Sequence, residues 1–91
     1  MADELKLRKK TQDAAKASAL LDNELLKEAF TSLEADYMKA WRNTMLTDQD
    51  ARERLWQAVH LLNKVQDHLK KVVVDGKIAQ SDLDTISLVR T

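Results

Sequence analysis

Two histidines, four serines and a few close acidic pairs are the side chains here whose types could do chemistry, and their spacing argues against each. His60 and His68 stand eight positions apart. Two rings on one helix reach a common metal ion when they are three or four positions apart. Eight positions is about two turns, roughly 12 Å of rise. Neither histidine completes the Glu-x-x-His pair of carboxylate-rich metal bundles. Ser18, Ser32, Ser81 and Ser87 lack the flanking glycines of a nucleophile elbow. Gly76 is the only glycine, whereas a loop that cradles phosphate needs several. Asp48 with Asp50, and Asp82 with Asp84, read as charges placed near helix N-termini. The residues therefore predict no catalytic group, no metal site, no cofactor and no enzyme.

Binding is a different matter. Lys6, Arg8, Lys9 and Lys10 form the compact basic segment KLRKK, which can reach phosphates as an arm. Its plainer reading is a solvated helix face that begins with Asp3 and Glu4. The fifteen basic and fifteen acidic residues cancel, and eight of each sign fall within residues 1–45. General electrostatic attraction to nucleic acid or to a membrane surface is thus not expected. A helix-turn-helix around GKIAQSDLDTI would present Asp82 and Asp84 with only Arg90 as a cation, the wrong sign for a DNA groove.

The elements that must position these groups are helical. There is no proline and no cysteine, so the turn residues of a sheet-rich fold and any disulfide framework are both missing. A helix is predicted over 48–75. Thr47 with Asp50 has capping-box spacing, and Gly76 offers a residue that can take positive φ and stop the helix. Inside it, Leu55, Val59, Leu62, Gln66, Leu69 and Val73 alternate at four and three. This is a heptad seam with one amide, which can fix register at a cost in stability. Ala58, Leu61, Val65, His68 and Val72 widen the stripe.

A preceding helix is predicted over 24–43, with Leu26, Phe30, Leu33, Tyr37 and Ala40 in line and Leu25, Ala29 and Trp41 beside them. Asp22 or Asn23 can cap it. An N-terminal helix over 3–21 carries a thin line through Leu7, Ala14 and Leu21, and LLDNELL reads as a bend or as continuous helix. Ser81 with Asp84 suggests a short final helix over 81–89, with Ile78 as an anchor before it.

The expected fold is a single all-α domain: an antiparallel hairpin of 24–43 and 48–75, flanked by the N-terminal helix and the short C-terminal one. Positions equidistant from a turn near residue 48 then lie at one height. That pairs Trp41 with Trp56, Tyr37 with Val59, Leu33 with Val65 and Phe30 with Leu69. The tryptophans would close the turn end as core residues over NTMLT, or one would face a partner as a hot spot. A helix pair covers only one stripe on each member, and both stripes here are wider. The expected outcome is an oligomeric bundle held by Phe30, Leu33, Tyr37, Trp41, Leu55, Trp56, Val59, Leu62, Gln66 and Leu69. No apolar run approaches the length of a membrane span, and MADELKLRKK has no apolar core of a secretory signal; an intracellular location is expected.

ELLKEAFTSLEADYMKAWRNT, followed by DARERLWQAVHLLNKVQDHLKKVVVDGKIA, resembles a group of small helical proteins encoded by tailed phages and prophages, over roughly residues 5–80. LEADYMKAWRNT and ARERLWQAV carry the resemblance. It implies a genomic setting among head, portal and packaging genes, and a place in the host cytoplasm or the phage particle. The function it implies is a non-enzymatic assembly protein that associates with itself or with other phage structural or packaging proteins. Two alternatives stand beside this: a small DNA-packaging subunit that uses KLRKK on DNA, and an inhibitor of a host factor.

Overall fold

The computed structural model describes residues 2–90, and every regular element among them is an α-helix: α1 (Ala2–Asp22), α2 (Glu24–Arg42) and α3 (Gln49–Arg90). The protein is all-α. No helix among the described residues is long and apolar enough to cross a membrane.

The bend in LLDNELL is real, and Asn23 makes it. Its backbone is extended at φ −70° and ψ 118°, and its side-chain oxygen accepts from the Leu26 amide at 2.9 Å. An amide left orphaned at the start of α2 is thereby satisfied. α2 ends at Asn43, whose own N–H reaches back to the carbonyls of Lys39 and Ala40. α3 opens under Asp48, whose carboxylate accepts from the Ala51 amide at 3.2 Å. The expected cap at Thr47 is therefore displaced by one residue, because a carboxylate at the positive end of the helix outcompetes a hydroxyl.

A larger correction concerns Gly76. α3 does not stop there but continues to Arg90 as one helix of 42 residues. The separate C-terminal helix over 81–89 does not exist, nor does a helix-turn-helix in GKIAQSDLDTI. No glycine has positive φ, so the stop signal is unused. Ser81 and Asp84 lie inside the helix, where the Ser81 carbonyl accepts from Thr85 Oγ1 and Asp84 accepts from Gln80 Nε2. Spacing alone does not separate a capping box from an ordinary helical surface. Tertiary packing decides it.

The chain divides into two compact units. One joins α1 to the part of α3 from His68 onward. Here the helices run in opposite directions, since Arg90 meets Glu4 while Gly76 lies against Lys10 and Ala14. The less exposed positions of α1 (Glu4, Leu7, Thr11, Ala14, Ala17 and Leu21) mirror those of α3 (Ile86, Leu83, Ala79, Gly76, Val73 and Leu69) about residue 45. The buried apolar side chains are small: Ala17 at 3% and Ala79 at 1% exposure. Small residues let two backbones come close. A Cβ added at Gly76 would strike the Ala14 methyl and sit 3.0 Å from the Lys10 carbonyl oxygen. The glycine is there to make room, and the packing it permits offsets its cost of about 1 kcal/mol within a helix.

The other unit is Asn23–Asp67, comprising α2, the loop and the first part of α3. Leu55, Val59, Leu62 and Gln66 are all half-buried. In α2 the half-buried line runs Leu26, Phe30, Glu34, Tyr37 and Trp41. The expected line through Leu33 and Ala40 is shifted by one position, leaving Leu33 41% exposed. Positions 33 and 34 straddle one face of a 3.6-residue helix, and the direction of the neighbour selects between them. No residue of α2 is buried.

Gly76→Ala should destabilise the protein by about 1–2 kcal/mol, the clash exceeding the gain in helix propensity. Adding Ala14→Gly should recover much of that loss, because the struck methyl is removed. Thermal denaturation followed by circular dichroism checks both. A stabilised Gly76→Ala would show that the close approach is dispensable.

Candidate interaction surfaces

Two places in the molecule gather side chains able to bind something, one in each unit. In the unit of α2 and early α3, Met38, Trp41, Leu55, Trp56 and Val59 line an open apolar hollow of about 320 Å³. α2 contributes Met38 and Trp41, one turn apart, and α3 contributes the other three. Arg52 lays its guanidinium 4.1 Å from the centre of the Trp41 ring and donates to Thr44 Oγ1 at 2.9 Å. Thr44 in turn donates to the Trp41 carbonyl at 2.6 Å. Tryptophan, threonine and arginine thus form a clamp across the loop, the cation over the ring adding roughly 0.5–1 kcal/mol.

Both tryptophans reach this hollow, but they are not equivalent. Trp41 is half-buried. Trp56 is 61% exposed, with its ring stacked on His60 at 5.1 Å and 10°. The reading of Trp56 as a core aromatic is corrected accordingly. Nor do the rings cover the loop: Met45 and Leu46 are 74% and 78% exposed. Two helices have one shared stripe, and Trp56 lies at its edge, one position beyond Leu55. Phe30, Tyr37, Leu55, Val59, Leu62, Gln66 and Leu69 are half-buried.

The second place lies in the unit of α1 and late α3. Arg90 donates two parallel bonds to the Glu4 carboxylate, at 3.0 and 2.7 Å, and Arg8 adds a longer one at 3.4 Å. Such a fork is the strongest geometry available to this pair. Hydrogen bonding from Arg90 holds the Glu4 carboxyl below its ordinary range, and the same bond raises Arg90. A polar cleft of about 470 Å³ beside the fork includes Thr11, Gln12, Gln80 and Asp84.

No family model, curated protein or solved structure matches this chain.

The basic segment is less free than its sequence suggests. Lys6, Arg8, Lys9 and Lys10 are exposed, but Arg8 is paired with Glu4 and Lys9 with Asp13 at 2.7 Å. The bond from Lys9 holds the Asp13 carboxyl below its ordinary range. Lys10 lines a shallow hollow together with Asp75 and Asp82, and Lys71 is 3.5 Å from Asp75. The field over the segment is mixed. Of the residues that matter here, Arg52, Thr44, Glu4 and Arg90 carry no signal in the sequence. The Glu4–Arg90 pair spans 86 positions, and no periodicity links such distant residues.

Trp56→Ala should cost about 1 kcal/mol or less, as exposed positions do, and Trp41→Ala about 2 kcal/mol or more through lost packing and the unpaired Arg52. Chemical denaturation of the two variants checks the order. The Glu4 fork has a pH signature. A carboxyl held below its unfolded value stabilises the fold above the ordinary carboxylate range, and that contribution disappears as pH falls through the lowered value. The thermal advantage of the wild type over Glu4→Gln should therefore be present at neutral pH and vanish on acidification. An advantage independent of pH would remove the ion pair as its cause.

Proposed function

We propose that this chain is a non-enzymatic assembly protein that acts by associating with copies of itself through an antiparallel hairpin of α2 and the first part of α3. The half-buried positions Phe30, Glu34, Tyr37, Trp41 and Thr44 mirror Gln66, Leu62, Val59, Leu55 and Arg52 about residue 48. This is the pattern an antiparallel pair requires, and it supports the hairpin reading.

The observation that carries self-association is surface. The chain exposes 7272 Å², where a folded monomer of 10.4 kDa exposes on the order of 5,400 Å². The excess of about 1,900 Å² per chain is in the range that permanent homodimers bury from each partner. Much of it is apolar: Leu25, Leu61 and Val65 are 50% exposed or more. Apolar area of this kind marks an interaction site or an aggregation hazard.

The setting we infer, assembly of a tailed-phage particle, rests on the resemblance carried by LEADYMKAWRNT and ARERLWQAV. A DNA-packaging role through Lys6, Arg8, Lys9 and Lys10 ranks behind it, because Arg8 and Lys9 already hold acidic partners. Inhibition of a host factor ranks lower still, with no feature that specifies a target.

Sedimentation equilibrium at tens of micromolar should return at least twice the chain mass; a monomer throughout would reject the proposal. Gln66→Leu, at a half-buried seam position, should raise the melting temperature and broaden the distribution of oligomers. An unchanged melting temperature would place the amide outside the seam.

A further inference from the structure

The hairpin unit has two sides besides the seam where its helices meet, and they differ in kind. Met38 and Trp56 each follow a seam residue by one position, Tyr37 and Leu55, and they line the same hollow. Residues one position after the seam therefore share that side in both helices, and residues one position before it share the opposite side. This is the geometry of an antiparallel pair. The side after the seam is mostly polar, with Lys27, Thr31, Arg42, Asn63 and Asp67 around Met38 and Trp56. There the Trp56 ring already has His60 on one face.

The side before the seam is apolar. Leu25, Leu33, Leu61 and Val65 are 76%, 41%, 59% and 50% exposed, and Ala29 and Ala58 lie between them in the two helices. The charged residues in these rows are Asp36 on α2 and Arg54 on α3.

We propose that a second copy of this chain docks on the Leu33–Leu61–Val65 side of the hairpin, closing a four-helix bundle and leaving Trp56 outside the interface. The proposal rests on the self-association reading and specifies its surface. Three observations choose this occupant. The surface in excess of a monomer's matches what each partner of a permanent dimer covers. Small residues between large ones let a second hairpin approach closely and interdigitate. One acid and one base on an otherwise apolar side are self-complementary under a twofold axis, because each copy supplies the charge opposite to the other's.

The test uses the full chain. Leu61→Lys with Val65→Lys should raise the dissociation constant of the dimer about tenfold or more, by desolvating charge at the interface centre, while Trp56→Lys should leave it within about twofold. Circular dichroism reports whether each variant stays helical. Since the chain has no cysteine, Leu61→Cys and Trp56→Cys with a short bis-maleimide give a second measurement on a folded protein. Efficient cross-linking through position 61 and none through position 56 supports the proposal. Cross-linking through position 56 alone, or a dimer weakened by Trp56→Lys and untouched by the double variant, overturns the surface but not self-association. A wild type that stays monomeric at tens of micromolar overturns both.

Discussion

A pair of helices can hide only the stripe along which they touch. That constraint governs this molecule more than any single bond. α3 supplies one continuous seam, through Leu55, Val59, Leu62, Gln66, Leu69, Val73, Gly76, Ala79, Leu83 and Ile86, and each compact unit sets one further helix against part of it. With two layers and no third, nothing large becomes fully buried: among the described residues the buried apolar side chains are Ala17 and Ala79. Hydrophobic burial of large side chains is the usual source of a small domain's stability. Here it is only partly realised within one chain.

The two units meet this shortage by different means. In the unit of α1 and late α3 the backbones approach closely over Ala14, Ala17, Gly76 and Ala79, so contact is made by main chain and methyl groups. The Glu4–Arg90 fork ties the far end. The unit of α2 and early α3 uses larger side chains at half burial, with Arg52 spanning Trp41 and Thr44 at the loop. The first pays in helix propensity for proximity. The second leaves apolar rows that remain open to solvent, which is why its surface carries the functional reading.

Helix content was legible in the sequence because it depends on local terms. The absence of proline, the single glycine and the three-four spacing of apolar residues all act over one or two turns. The break at Asn23 was legible for the same reason, since an asparagine before ELLK is a cap whatever lies nearby. The pairing of Trp41 with Trp56 around one hollow followed from loop position and rise per residue. Which of two adjacent residues faces inward did not follow: Leu33 and Glu34 sit 100° apart, and only the partner's position chooses between them.

By itself, then, the sequence determined that the chain is helical, where α2 begins, and that its apolar stripes exceed what one partner can cover, because all three depend on side-chain type and short-range geometry. Tertiary structure alone decided the fate of Gly76, the exposure of Trp56 and the meeting of Glu4 with Arg90. A glycine can end a helix or admit a neighbour. The neighbour is α1, some sixty residues away along the chain, and contacts over that separation are set by packing, which no local pattern encodes.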